Sequence, residues 1–289
     1  MPECLEEFLS KKIPFVPQII GRGVLPIKSL AVVAGAPKDN KSFILLNIML
    51  DLARGRNLFG AEFHGGGHIP VLPVTKPYRV LYIENEIGDE GLRERILGMT
   101  HGEIPIGLDL YIKSRDMQMR LDTDEGKLAI GLEIDKCRPD VVILDPLAEF
   151  QLIDENSAQE MGATIRVLKR WIEKFNCAII LVHHTAKPSQ DHPRSGGNAL
   201  RGSSALFGAV DTMIEVVRRS EASNPTPIIE LNFELRRGKP ITSIQVRREE
   251  SGLCEYLGEK FSGSSSEHEM ASRKLPRDKK ETKSRYEDL

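Results

Sequence analysis

Short apolar runs alternate with stretches of helical periodicity through most of this chain. Leu30 to Val33, Arg79 to Ile83, Val141 to Asp145 and Cys177 to Val182 each read as a strand, and Leu108 to Ile112 as a shorter one. Runs that are apolar at both parities mark parallel strands covered by helices on both faces. Between them, helices are predicted over 43–52, 89–99, 124–137 and 156–175. The last carries Met161, Ile165, Leu168 and Ile172 at helical spacing, with Trp171 as a packing residue. Gly196 to Ser204 opens a further helix, and Leu206 to Val217 continues into another strand. Ile228 to Leu235 and Ile241 to Arg248 then read as antiparallel strands around a basic tip, Arg236-Arg237-Gly238-Lys239-Pro240, with a last short strand over Gly252 to Leu257. The fold class predicted is α/β: a mainly parallel central sheet flanked by helices, with an antiparallel C-terminal extension.

The pattern divides the chain into an arm or linker over 1–24, a folded domain over 25–257 and a charged tail over 258–289 expected to be disordered. The arm holds a short amphipathic segment with Leu5, Phe8 and Leu9, able to cover its own core or a neighbouring subunit. Gly55 to Pro77 is rich in Gly and Pro and reads as a loop. His64 and His68 in it have no carboxylate or thiol cluster beside them, so solvated histidines are expected rather than a metal site. Thr185 to Asn198 is polar and reads as a mobile loop.

Composition changes this picture little. The chain has 289 residues and a formal net charge of −2, so no global basic field announces nucleic acid, and any such contact needs a local patch. Cys4, Cys137, Cys177 and Cys254 form no CxxC pair, which argues against a zinc site or a disulfide framework and for a reducing, cytoplasmic setting. The first residues lack the apolar core of a signal peptide, and no apolar run is long enough to span a bilayer.

Candidate chemistry concentrates where strands end. Leu30 to Ala53 reads as strand, turn and helix, and the turn fits G-x-x-x-x-G-K-[ST] with one departure, Asn40 in place of the second glycine. Asn tolerates the left-handed backbone region better than other non-glycine residues, so the loop can still close. Gly35, Ala36, Pro37, Lys38, Asp39, Asn40, Lys41, Ser42 and Phe43 are the candidate phosphate-binding set. Lys41 would meet the β- and γ-phosphates and Ser42 would ligate Mg²⁺, with helix N-terminal amides adding to the anion site. An ordinary turn with a chance Lys-Ser is the competing reading. Glu84-Asn85-Glu86 closes the next strand. A carboxylate at the end of a strand beside the P-loop strand can orient attacking water, and Glu86 is preferred over Glu84; a helix-capping acidic turn is the alternative. Val141-Val142-Ile143-Leu144-Asp145 supplies a second nucleotide-site signature, with Asp145 holding Mg²⁺ through water. His183-His184 ends a further strand close to where a γ-phosphate would lie, although stacking on the core is a fair competitor.

With these residues placed, the sequence resembles the RecA-like P-loop ATPases, and within them the RepA-type hexameric replicative helicases and related AAA family ATPases of plasmids, phages and bacteria. The resemblance runs from about Leu25 to Leu257 and rests on GAPKDNKS, YIENE, VVILDPL, LVHHTAK and GGNALRGSS in that order. It implies a RecA-like P-loop NTPase fold, ATP and Mg²⁺ as ligands, Glu86 as the catalytic carboxylate and Asp145 as the metal-associated acid. It implies that His184 senses the γ-phosphate, and that Arg201 and Arg236 reach a neighbouring subunit's nucleotide. A ring-shaped homo-oligomer, a hexamer, follows from that. The function expected is an ATPase acting as helicase or translocase on single-stranded DNA, with Lys187 and Arg194 of the polar loop touching phosphates. A recombination or repair ATPase without unwinding, and a nucleotide-switched binding protein with weak hydrolysis, stay open beside it.

Overall fold

The computed structural model describes residues 3–12, 16–61, 71–153, 157–184, 204–221 and 223–259. Its centre is the strand β3 (Leu30–Gly35), preceded by α1 (Leu5–Ser10) and a small antiparallel hairpin of β1 (Gln18–Ile20) and β2 (Leu25–Pro26). After β3 come α2 (Lys41–Arg54), β4 (Val80–Glu84), α3 (Gly88–Met99), β5 (Leu110–Ser114), α4 (Asp124–Cys137), β6 (Val141–Asp145), α5 (Ala158–Phe175) and β7 (Ala178–His184). The chain then forms α6 (Ser204–Ala209), β8 (Thr212–Arg218), β9 (Ile228–Leu235), β10 (Ile244–Arg248) and β11 (Cys254–Glu259). Among the described residues, nine strands make one sheet in the order β11-β10-β9-β8-β3-β7-β6-β4-β5. All pairings from β8 to β5 are parallel, and those from β8 to β11 are antiparallel.

Alternation along the strands sorts their side chains into two helix-covered layers. Ala31, Val33, Val80, Tyr82, Val141, Ile143 and Ile180 face the layer containing α2. Leu30, Val32, Leu81, Ile83, Val142, Leu144, Ile179 and Leu181 face the layer containing α4 and α5. Burial at both parities is why these segments read as unbroken apolar runs. The helices stop where their sequences say. The Thr123 hydroxyl accepts from the Gly126 N–H at the start of α4, and Arg138 ends it at φ 48 just before Pro139. Ser157 caps α5 by accepting from the Glu160 N–H, so that helix begins at Ala158; Asn156 lies outside the described residues. Met161, Ile165, Leu168, Trp171 and Ile172 are all buried along it.

Four readings are refined. The strand bearing Glu84 is not beside the P-loop strand: β7 and β6 stand between β3 and β4. The sheet's parallel crossovers put β6 and β7 inside because both are apolar at either parity, whereas β5, half exposed along its length, takes the edge. That thin apolar signal also explains why β5 lies two residues later than its composition indicates. The strand before the two histidines runs through both of them, because Ala34 and Gly35 of β3 pair in register with His183 and His184. Finally, the segment read as an arm divides. Leu5, Phe8 and Leu9 are exposed on α1, but Ile19, Ile20 and Val24 join the main core.

Asn47, buried in α2, ties that helix to the end of the chain. Its amide Nδ2 donates to the carbonyls of Phe43 and Gly252, and its Oδ1 accepts from the Cys254 N–H at 2.9 Å. Among the described residues, no helix is long and apolar enough to cross a membrane.

Candidate functional site

The carboxyl ends of β3, β4, β6 and β7 open into one cleft of 320 Å³. Lys38, Asn40, Lys41, Ser42, Phe43, Glu86, Asp145 and His184 line it, joined by Ile87, Arg95, Pro146 and Val182. The structure thus brings together the loop lysine and serine, the preferred carboxylate, the strand-end aspartate and the second histidine of the pair.

The loop closes as the sequence allows. Asn40 sits at φ 68, ψ 22, in the left-handed region, and its carbonyl accepts from the Ile44 N–H to start α2. Gly35 is required on packing grounds: a Cβ there would lie 2.5 Å from the Val216 carbonyl oxygen of β8. Lys41 is buried, with its ammonium donating to the carbonyls of Gly35 at 3.0 Å and Ala36 at 2.9 Å. Burial pulls its pKa down, opposed by the charges of Asp39, Asp145 and Glu86 in that order. Asp39 turns back onto the loop, where its Oδ2 accepts from the Ala36 N–H at 3.2 Å.

The two glutamates of the acidic turn have separate tasks. Glu84 is buried, and its Oε1 accepts from the N–H groups of Glu86 at 2.6 Å and Ile87 at 2.5 Å. Its Oε2 accepts from Gly88 at 3.0 Å, so the carboxylate is consumed at the entrance to α3. Glu86 is exposed to the cleft and close enough to act on the charges of both Lys41 and Asp145. The capping alternative therefore holds for Glu84, while Glu86 is left available for chemistry.

Asp145 is buried at the end of β6, and its Oδ2 accepts from the Tyr82 hydroxyl at 2.5 Å. Burial pushes its carboxyl up to about 6, while Tyr82 and the nearby Ser42 hydroxyl favour the charged form and Glu86 and Glu84 oppose it. Ser42 is near enough to exert that pull without closing a hydrogen bond: Asp145 Oδ1 is buried and unpartnered, as is the Nδ2 of Asn40. A buried acceptor beside a serine hydroxyl suits a hydrated divalent cation, and a buried amide donor in the loop suits a phosphate oxygen. The residues present therefore fit a Mg²⁺-nucleotide. His184 stands in register with Gly35, facing the cleft, while His183 is fully buried on the other parity.

Sequence reasoning missed Tyr82, Arg95 and Arg248. The guanidinium of Arg95 lies 4.9 Å from the centre of the Phe43 ring and that of Arg248 lies 4.6 Å from it, two cations on one aromatic ring at the mouth of the cleft. Tyr82 had a signal, an aromatic two residues before Glu84 on the same face of β4. Arg248 had none, since its partner is some two hundred residues away in sequence.

Arg236 does not share the cleft. It is exposed at the end of β9, donates to the Gly208 carbonyl, and lines a separate cavity with Lys28 and Leu30 at the start of β3. Lys41 and Arg236 therefore occupy opposite ends of the strands. Arg201, Lys187 and Arg194 lie outside the described residues, as do His64 and His68.

A family model described as an AAA domain matches residues 2–190. Among solved structures, the fold is similar to that of a DnaB-like replicative helicase, described with its interactions with primase, at TM-score 0.58 and 14% identity. That match covers 80% of this chain and 58% of the helicase chain, so the protein spans little over half the length of that relative. The fold is also similar to a KaiC-like protein, PH0186, from Pyrococcus horikoshii OT3, at TM-score 0.52 and 10% identity, covering 83% of this chain and 94% of that one. Compared by sequence with curated proteins, the chain matches none. The fold is the RecA-like P-loop one.

Proposed function

Because this chain belongs to the AAA-domain family, we propose that it is an oligomeric ATP hydrolase acting as a helicase or translocase on single-stranded DNA, in the replication of a plasmid, phage or mobile element. The observation that carries the enzymatic part is the convergence of Lys41, Ser42, Glu86, Asp145 and His184 on one cleft. The likeness of its fold to a DnaB-like replicative helicase directs the reading toward DNA.

In this reading Lys41 leaves the carbonyls of Gly35 and Ala36 to meet the β- and γ-phosphates, and Asn40 and the first amides of α2 complete the cradle. Ser42 and Asp145 would hold Mg²⁺, whose charge offsets that of the phosphate oxygens. Glu86 orients the attacking water, and Glu84 holds Glu86 in place by accepting from the backbone N–H groups of Glu86 and Ile87. His184, paired to the loop strand, registers the γ-phosphate.

Arg236 cannot reach phosphates held by Lys41 of its own chain, because the length of the strands separates them. The trans role assigned to Arg236 would therefore need an adjoining copy to present it, as a ring, a hexamer in the reading adopted, would do. Arg201 is assigned the same trans role, and Lys187 and Arg194 the contact to single-stranded DNA. A nucleotide-switched binding protein with weak hydrolysis is the second reading, favoured by the docking of Lys41 on loop carbonyls.

The test is steady-state ATP hydrolysis with and without single-stranded DNA, read alongside mass in solution. The expected result is turnover that DNA stimulates, lost in Lys41→Ala, from a species larger than a monomer. Turnover unaffected by Lys41→Ala would remove the enzyme assignment; binding without turnover would select the second reading.

A further inference from the structure

The phosphate loop contains a carboxylate of its own. Asp39 immediately precedes Asn40 and Lys41, and it closes the turn twice: its backbone N–H donates to the Ala36 carbonyl at 3.2 Å, and its Oδ2 accepts from the Ala36 N–H at 3.2 Å. The Lys41 ammonium is bound to that same turn, through the carbonyls of Ala36 at 2.9 Å and Gly35 at 3.0 Å. Asp39 is half-buried, and among the carboxylates acting on Lys41 its pull is the largest, ahead of Asp145 and Glu86. Arg218 and Glu215 of β8 act on it with opposite charges. Backbone amides and cations attract a phosphate to such a loop. A fixed carboxylate within the loop works against that attraction.

We propose that Asp39 restrains nucleotide binding: its carboxylate holds Lys41 against the loop carbonyls and repels the incoming phosphates. The inference rests on the nucleotide-site reading above and deepens it. A triphosphate entering the cleft has to draw Lys41 off the turn that Asp39 stabilises, and then places several negative charges beside a fixed one. Both effects weaken binding, and the repulsion is relieved when Mg²⁺ neutralises part of the phosphate charge. The chain therefore releases nucleotide more readily, and depends more on Mg²⁺, than the same loop with a neutral residue would. Asp39 acts through Lys41 and the field in the loop and touches no reacting atom, so it is a positioning residue.

Asp39→Asn separates charge from shape, because the amide oxygen can still accept from the Ala36 N–H. Titration calorimetry of the full chain with ATP, with and without Mg²⁺ and at two salt concentrations, reads the effect. The expected result is ATP binding about tenfold tighter in Asp39→Asn, from one unit charge removed at short range in a partly hydrated site. The gain should be largest without Mg²⁺ and should shrink at high salt, which a purely structural role would not produce. Equal or weaker binding by Asp39→Asn, while Lys41→Ala abolishes binding, overturns the inference and leaves the site reading intact. Weaker binding in Asp39→Ala with no change in Asp39→Asn also overturns it, reducing Asp39 to a turn-closing residue. Absence of ATP binding in the parent protein and in Asp39→Asn alike overturns the site reading together with the inference.

Discussion

Replacing Glu84 by glutamine should damage the fold at the corner of the cleft, whereas the same change at Glu86 should stop the chemistry and leave the fold alone. Glu84 accepts three backbone hydrogen bonds, from Glu86, Ile87 and Gly88. A glutamine oxygen can keep the first two, but its NH₂ then faces the Gly88 N–H, donor against donor. Losing one hydrogen bond to a charged acceptor costs about 1.5–3 kcal/mol. Removing the negative charge from the start of α3 adds up to about 1 kcal/mol. A total of about 3 kcal/mol lowers the midpoint of thermal unfolding by about 6–12 °C in a domain of this size. Glu86 is exposed and bonds through its backbone N–H, so Glu86→Gln should stay within about 0.5 kcal/mol of the parent. Its turnover should fall about a hundredfold to ten-thousandfold, the usual reach of a positioned base, with ATP binding kept. Circular dichroism melts and steady-state hydrolysis measure the two arms. A Glu84→Gln protein that melts with its parent, or a Glu86→Gln protein that turns over normally, would refute this division of labour.

Asn40→Gly should bind ATP and be as stable as the parent, or up to about 1 kcal/mol more so, because glycine adopts φ 68 without strain; denaturant midpoints check this, and a stabilised Asn40→Val would contradict it. Burial pushes the Asp51 carboxyl up to about 6, so the folded state disfavours its charge and the stability linked to its protonation is present below about pH 4 and lost as pH rises through 6. Asp51→Asn, which keeps an acceptor for the Phe59 N–H, should therefore be about 1–2 kcal/mol more stable than the parent at pH 7.5 and no more stable at pH 4, by urea unfolding at both values.

Much of the site was legible because its chemistry stands at the ends of strands that are apolar throughout. Asp145 closes such a run, His183-His184 closes another, and Lys41-Ser42 follows a third, so one-dimensional pattern located them. The parity of a strand was legible too, and it explains why His184 and not His183 faces the cleft. What could not be read is adjacency between distant segments. Nothing in YIENE tells that β7 and β6 intervene before β3, since strand order is set by crossover packing and not by local composition. Arg95 and Arg248 meet on Phe43 only because α3 and β10 converge over the start of α2, and neither arginine stands in a motif. The inward turn of Asp39 was hidden for another reason: the loop pattern places no constraint on that position, and the direction of the carboxylate is set by the folded turn, where it meets the Ala36 N–H.

Asn47 carries a consequence for how the molecule comes into being. Its carboxamide grips Gly252 and Cys254, the latter 207 positions further along the chain. During synthesis the lysine and serine of the loop emerge early, yet their helix lacks this anchor until nearly the whole folded region has left the ribosome. A nascent chain therefore carries the residues of the cleft long before it has the cleft. Any truncation or fusion that disturbs the last strand will be felt far upstream in the chain, in the helix that opens the cleft.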